Sequence, residues 1–152
     1  MYETLLVPTD GSETVDRTLP HALRLAADHG ATVHALYVVD QRVVKASSDE
    51  LREDIRTDLE RQGEAAVEAV AERASEAGVE CETAVRHGTP DKEVVAHAEE
   101  TGADVIVIGP HGKTPRKKIE GLGSVSDRVV ADAGTSVFLV KEGMEGAADG
   151  AD

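Results

Sequence analysis

Two short segments of the 152-residue chain carry the side chains best suited to chemistry, and each follows an apolar run. The longer reads Gly109-Pro110-His111-Gly112-Lys113-Thr114-Pro115-Arg116-Lys117-Lys118-Ile119-Glu120-Gly121-Leu122-Gly123-Ser124. Glycines let main-chain N–H groups approach an anion closely, and a serine opening a helix adds a hydroxyl and the positive end of the helix dipole. Lys113, Arg116, Lys117 and Lys118 place four of the sixteen basic residues within six positions. Gly-x-x-Gly alone marks no more than turns in a solvated loop. The buried run before it, the cations within it and the Ser-led helix after it shift the reading to a phosphate site. The second segment is Pro8-Thr9-Asp10-Gly11-Ser12. A carboxylate there accepts hydrogen bonds from ribose hydroxyls or an adenine amino group. Asp10 or Ser12 is equally suited to cap a helix starting near Glu13, and the two roles can coexist.

The elements that position these segments follow from hydrophobic period. Thr4 to Val7 is a short buried strand stopped by Pro8 and Gly11. Val15, Leu19, Ala22, Leu23 and Ala26 recur at helical spacing from Glu13 to His29, with Pro20 inside and Gly30 as the stop. Ala31 to Val39 is apolar and β-branched, as in a central strand covered on both faces, and Asp40 ends it. Residues 41–50 read as a loop, and a helix from about Asp49 to Ala77 presents Leu51, Ile55, Leu59, Val67, Val70 and Ala74 on one stripe. Val79 to Val85 alternates apolar and polar, fitting a strand near a sheet edge that ends at His87 and Gly88. Thr89 as cap and Pro90 at the first position open a helix running to Gly102. Asp104 to Gly109 is a parallel strand buried on both faces, Ser124 to Asp132 a helix, and Ser136 to Val140 a last strand. Five strands thus alternate with four helices, and right-handed crossovers make this a parallel α/β sheet with helices on both faces. Ligands of such sheets sit beyond the carboxyl ends of the strands, where strand order reverses, which brings the two segments to one edge. Residues 1–141 form one domain in this reading, and the Gly/Ala/acid tail at 142–152 is expected to be disordered.

Composition removes several classes of function. Thirty acidic against sixteen basic residues give a net charge of -14, which repels nucleic acid and anionic lipid surfaces. Tyr2, Tyr37 and Phe138 are the only aromatic residues, too few for a base-stacking platform. Ten of the basic residues are Arg and six are Lys. In molar salt the Debye length is about 3 Å, so dense surface acid ceases to be self-repulsive, and a halophilic, salt-rich cytoplasm is the expected setting; an ordinary acidic protein is the alternative. Cys81 is the only cysteine, so neither an internal disulfide nor a multi-cysteine zinc site can form. No basic segment precedes a long apolar one and no run reaches about 18 apolar residues, so a cytoplasmic protein without membrane insertion is expected.

Other site chemistries find little support. His21, His29, His34, His87 and His97 show no paired metal spacing, so no protein-only metal site is assigned, and Mg²⁺ held mainly by a nucleotide's phosphates is the more natural arrangement. Gly112-Lys113-Thr114 looks like the end of a P-loop, but the full spacing is absent and Pro115 stands where the helix should begin. His111 lacks a partner carboxylate and reads as a nucleotide contact. No catalytic residue is assigned, and any ATP hydrolysis should be slow because no water-activating residue is identifiable.

The segments LLVPTDGSE, LYVVD, HGTPDKEVVAHAEETGADVIVIG, PHGKT, GSVSDRVV and SVFLVK together resemble the universal stress protein family, specifically its ATP-binding branch, over residues 2 to 141. The resemblance implies a Rossmann-like sheet of the adenine nucleotide alpha hydrolase type, with strand order 3-2-1-4-5 and homodimer formation through the last strand, residues 136–140. It implies that ATP, or AMP, lies across the ends of strands one and four. Asp10 with Pro8 and Thr9 would then contact adenosine, and the main chain of Val38 near Asp40 would meet adenine. Gly109, His111 and Gly112 would line ribose and phosphates, Gly123, Ser124, Val125 and Ser126 would bind phosphates, and Lys113 and Arg116 would lie close to them. The family pattern has nine residues between the second glycine and the Gly-Ser pair, whereas Lys113 to Leu122 make ten. The implied function is a nucleotide-dependent switch or sensor read by an unknown protein partner in stress response. The alternative is an interaction module that has lost nucleotide binding; an adenylate-forming enzyme has no readable substrate pocket or motif.

Overall fold

The computed structural model describes residues 2–109 and 124–141. Five strands, β1 (Thr4–Pro8), β2 (Thr32–Asp40), β3 (Cys81–Gly88), β4 (Val105–Ile108) and β5 (Ser136–Leu139), form one sheet in the order β3-β2-β1-β4-β5. All neighbours are parallel, with Leu5 opposite Val33 on one side and Val105 on the other. The helices are α1 (Thr14–His29), α2 (Gln41–Lys45), α3 (Arg52–Glu76), α4 (Pro90–Thr101) and α5 (Ser124–Asp132). The expected strand order and two-sided helical cover are therefore present, and strand order reverses between β1 and β4.

The period of two along each strand sorts the core into two layers. Odd positions of the central strands, including Leu5, Val7, Val33, Tyr37 and Val107, pack with α1 and α3 residues such as Leu19, Ala22, Val67 and Val70. Even positions, including Leu6, Leu36, Ile106 and Ile108, pack with Val94 and Ala98 of α4 and Val129 of α5. This parity decides which helix faces each residue at the carboxyl edge.

The segment expected to be loop at 41–50 contains α2. Asp40 nucleates it: its Oδ1 accepts from the Arg42 main-chain N–H at 3.0 Å and from Arg42 Nε at 3.0 Å, while Oδ2 accepts from Nη2 at 2.8 Å. Burial alone would raise the Asp40 carboxyl, but these Arg42 contacts hold it below its ordinary value. Thr89 occupies the predicted cap position of α4 and Pro90 the predicted first turn, yet the Thr89 side chain makes no capping hydrogen bond. Strand β3 is an edge, as its alternation suggested, and Arg86 ties it to α4 through Glu93 at 2.8 Å and Glu100 at 2.9 Å.

Gly63 lies in α3 directly over the buried Tyr37 ring, and a Cβ there would come within 2.5 Å of Tyr37 Cδ1. Alanine gains about 1 kcal/mol in helix propensity, but overpacking against a ring without room to move costs about 1–3 kcal/mol. Gly63→Ala should therefore lose up to about 2 kcal/mol in urea unfolding; a gain in stability would show that α3 can lift from the sheet without cost.

At the opposite, amino edge, Asp104 Oδ2 accepts from the main-chain N–H groups of Glu3 at 2.7 Å and Thr4 at 3.0 Å, joining the starts of β1 and β4. These two donors hold the Asp104 carboxyl below its ordinary value. A lowered folded-state pKa adds stability above the unfolded value of about 3.9, and that stability is lost as pH falls through the folded value. Asp104→Ala should be less stable than the parent at pH 7, with the gap narrowing below about pH 4. Denaturant midpoints measured from pH 7 to pH 2.5 check this, and a gap independent of pH would exclude the charge as its source.

Candidate functional site

The first loop of interest is built from its own side chains. Thr9 N–H donates to Leu36 C=O at 2.8 Å, the last bond between β1 and β2. The buried Thr9 then accepts from Gly11 N–H through Oγ1 at 3.1 Å, Asp10 Oδ1 accepts from Ser12 N–H at 2.9 Å, and Ser12 Oγ accepts from Thr14 N–H at 3.2 Å. Helix capping thus falls to Ser12, one residue before the Glu13 that opens α1 without a side-chain cap of its own. Asp10 closes the turn instead, and since a carboxylate offers about four acceptor positions, that single bond leaves it acceptor capacity. The alternative left open by sequence resolves in favour of both residues having local roles.

The second loop leaves β4 at Gly109. A Cβ on residue 109 would lie 2.5 Å from Thr14 Cγ2 and 3.2 Å from Thr18 Cγ2, so the first two turns of α1 press directly on the end of β4. Ser126 is buried in the first turn of α5, and its Oγ donates to Gly109 C=O at 2.5 Å. A serine hydroxyl has one proton. With that proton on Gly109, Ser126 acts as a latch between strand and helix, and any contact it makes with an anion falls to its main chain.

Val38 completes the edge. Successive residues of a parallel strand send their main-chain groups to opposite neighbours. Leu36 bonds toward β1, so Val38, two residues on, sends its N–H and C=O to the same side, beyond where β1 pairing stops at Pro8. Pro8 and Val38 occupy even positions and so border the α4/α5 layer. Pro8, Thr9, Asp10, Val38, Gly109, Val125 and Ser126 are thereby gathered along one edge spanning β2, β1, β4 and α5. Ser124 opens α5 as predicted. His111, Gly112, Lys113, Arg116 and Gly123 lie outside the described residues, as do the ten-residue spacing and the tail at 142–152.

Two features here escaped sequence reading. The Tyr37 hydroxyl has its pKa raised, by burial first and then by the charges of Asp10 and Asp40, which places both carboxylates near the end of β2. Asp91, in the first turn of α4, is buried to 5% exposure, and its spacing of three and seven from Val94 and Ala98 is the signal that could have found it. Among the described residues no group of three or more His, Cys, Asp or Glu side chains is gathered for a metal, and no helix is long and apolar enough to cross a membrane. The cavity lined by Val39, Gln41, Val44, Lys45, Arg56 and His87 measures ≈ 90 Å³, below the few hundred Å³ of small-molecule sites.

With this edge in view, comparison with known proteins is decisive about kinship. Residues 1–141 match the model of the universal stress protein family. The chain belongs to that family. Universal stress protein MJ0531 of Methanocaldococcus jannaschii is 37% identical over 93% of this chain and 84% of its own length. Universal stress protein MJ0577 of the same organism is 30% identical over 93% of this chain and 96% of its own; its solved structure superposes with a TM-score of 0.83 at 32% identity, covering 93% and 97% of the two chains. A universal stress protein solved in complex with cAMP superposes with a TM-score of 0.67 at 26% identity, covering 92% of this chain and 97% of that one.

In this universal stress protein the Ser126 latch is testable by itself. Ser126→Ala removes the hydroxyl donor from a partly buried carbonyl and should cost about 0.5–1.5 kcal/mol in urea unfolding. An unchanged midpoint would mean that the Gly109 carbonyl is satisfied by another donor.

Proposed function

We propose that this universal stress protein binds an adenine nucleotide, ATP or AMP, across the carboxyl edge of β1 and β4, and serves as a nucleotide-dependent switch or sensor in stress response. The observation that carries the reading is the crevice at the strand-order reversal. Val38 offers main-chain hydrogen-bonding groups past the end of β1, Gly109 allows close approach, and α5 opens with Ser124, Val125 and Ser126 at its positive end. Adenine sits against Pro8 and Val38, and Asp10 accepts from ribose. The phosphates meet the start of α5, with Gly112, Gly123, Lys113 and Arg116 completing their surround and His111 beside the ribose. Mg²⁺ binds mainly through the phosphates. The relative solved with cAMP supports an adenine ligand for this fold.

The second reading, an interaction module without nucleotide, draws on the ten residues from Lys113 to Leu122 where the family pattern has nine. Both readings are compatible with self-association through β5, an edge strand carrying the half-exposed Phe138, and with a salt-rich cytoplasm suited to a net charge of -14.

Calorimetric titration of the full chain with ATP and AMP, in molar KCl with Mg²⁺, decides between them. The expected result is saturable binding, weakened about tenfold in Asp10→Ala by loss of a hydrogen bond to a charged acceptor and also weakened in Gly123→Val. No heat with either nucleotide, together with no nucleotide released from the purified protein, selects the interaction module.

A further inference from the structure

Asp91 is a charged residue placed where an apolar one belongs. It sits in the first turn of α4 on the same stripe as Val94 and Ala98, the residues that pack on Leu6 and Leu36. Helix α4 begins two residues after β3 ends at the carboxyl edge, so its first turn, with Asp91, lies toward that edge. The side chain is 6% exposed. Its Oδ1 is buried and makes no hydrogen bond with the described residues.

A cation approaches it without satisfying it. Arg128 Nη1, on α5, lies 3.8 Å from Oδ1, an ion-pair distance too long for a hydrogen bond. Arg42 is held first by Asp40 and feels the Asp91 charge as well. Arg42 follows β2 and Arg128 belongs to the helix after β4, on the two sides of β1 in the sheet order. A buried acceptor lacking its donor costs free energy that folding does not recover, and such a group is retained at little loss only where something supplies the donor.

We propose that Asp91 is a base-reading residue: its Oδ1 accepts a hydrogen bond from the exocyclic amine of the adenine and makes the site select adenine over guanine. This rests on the nucleotide-binding reading and adds the specificity of that site. The amine of adenine carries two N–H donors, so one can meet the Val38 main chain while the other meets Asp91. Guanine and hypoxanthine present an oxygen at the same ring position, which sets acceptor against carboxylate in a buried place. Discrimination then comes from repulsion of the wrong base as much as attraction of the right one. A single carboxylate with a guanidinium group beside it is a poor cation site, and an anion is repelled by it, so a neutral N–H donor is the ligand chemistry that fits.

The test measures dissociation constants by calorimetry on the full chain for ATP, inosine triphosphate and purine riboside triphosphate, which bear an amine, an oxygen and a hydrogen at the same position. The parent protein should bind ATP about tenfold more tightly than purine riboside triphosphate, and inosine triphosphate more weakly still. In Asp91→Ala and Asp91→Asn the advantage of ATP over purine riboside triphosphate should shrink several-fold, and inosine triphosphate should regain affinity. A residue that merely supports α4 would weaken all three ligands by the same factor, and that outcome overturns the proposal. Equal binding of ATP and purine riboside triphosphate by the parent also overturns it, whether or not either variant folds, and leaves nucleotide binding itself standing. Absence of binding by any of the three to the parent overturns both readings together.

Discussion

The carboxyl edge of this protein depends on how closely α1 lies against the end of β4. Thr14 and Thr18 occupy the space that a side chain at position 109 would need. The strand must therefore leave the sheet on a glycine, directly beneath the N-terminal turns of α1, whose entry is fixed by the Thr9, Asp10 and Ser12 turn. The Ser126 latch on the Gly109 carbonyl then sets where α5 begins. One close contact thus brings the end of β1, the end of β4 and the start of α5 into fixed relation. A loop between positions 109 and 124 is anchored at both ends by it, whatever path it takes.

The second organising fact is parity. Odd residues of the central strands belong to the α1/α3 layer and even residues to the α4/α5 layer. Tyr37, an odd residue, carries its hydroxyl between the fields of Asp10 and Asp40, and the absence of a side chain at Gly63 makes room for the ring. Pro8 and Val38, even residues, border the layer to which Asp91 and Ser126 belong. At the carboxyl edge β1 pairing stops at Pro8 opposite Leu36, so β2 runs on past it through Val38.

Much of this was legible in residue order. The runs LLV, DVIVIG and ATVHALYVV are too continuously apolar for surface elements, and Gly30, Gly78 and Gly102 punctuate the helices between them. Strand order came only through family resemblance, because right-handed crossovers limit the possibilities without choosing among them. Helix α2 was missed because QRVVK is too short to show a period; it exists through the capping bonds from Asp40, a local interaction with no hydrophobic signature. Ser126 is a phosphate contact only through what the family resemblance implies, and the bond of its hydroxyl to Gly109 C=O is a matter of tertiary geometry that no local pattern encodes. Asp91 was passed over because acid in the first turn of a helix is commonplace for dipole reasons. Its burial depends on the packing of α4 against α5 and the sheet, which no local pattern encodes.

Electrostatics gives these details a common logic. A chain of net charge -14 is a poor host for a polyanion, and Asp10, Asp40 and Asp91 bring three carboxylates to the very edge in question. Each, however, is engaged or flanked: Asp10 by the Ser12 main chain, Asp40 by Arg42, and Asp91 by Arg128 and Arg42 at longer range. The acid at this edge therefore accepts hydrogen bonds from neutral donors, as a base or a sugar would offer. The concentrated cations lie elsewhere, at Lys113, Arg116, Lys117 and Lys118, on the segment that joins the Gly109 carbonyl to the positive end of α5. In molar salt the diffuse negative field is screened within a few ångströms. What survives at such short range is the pattern of individual donors and acceptors, and among the described residues of this edge it is a set of carboxylate acceptors suited to neutral N–H and O–H donors.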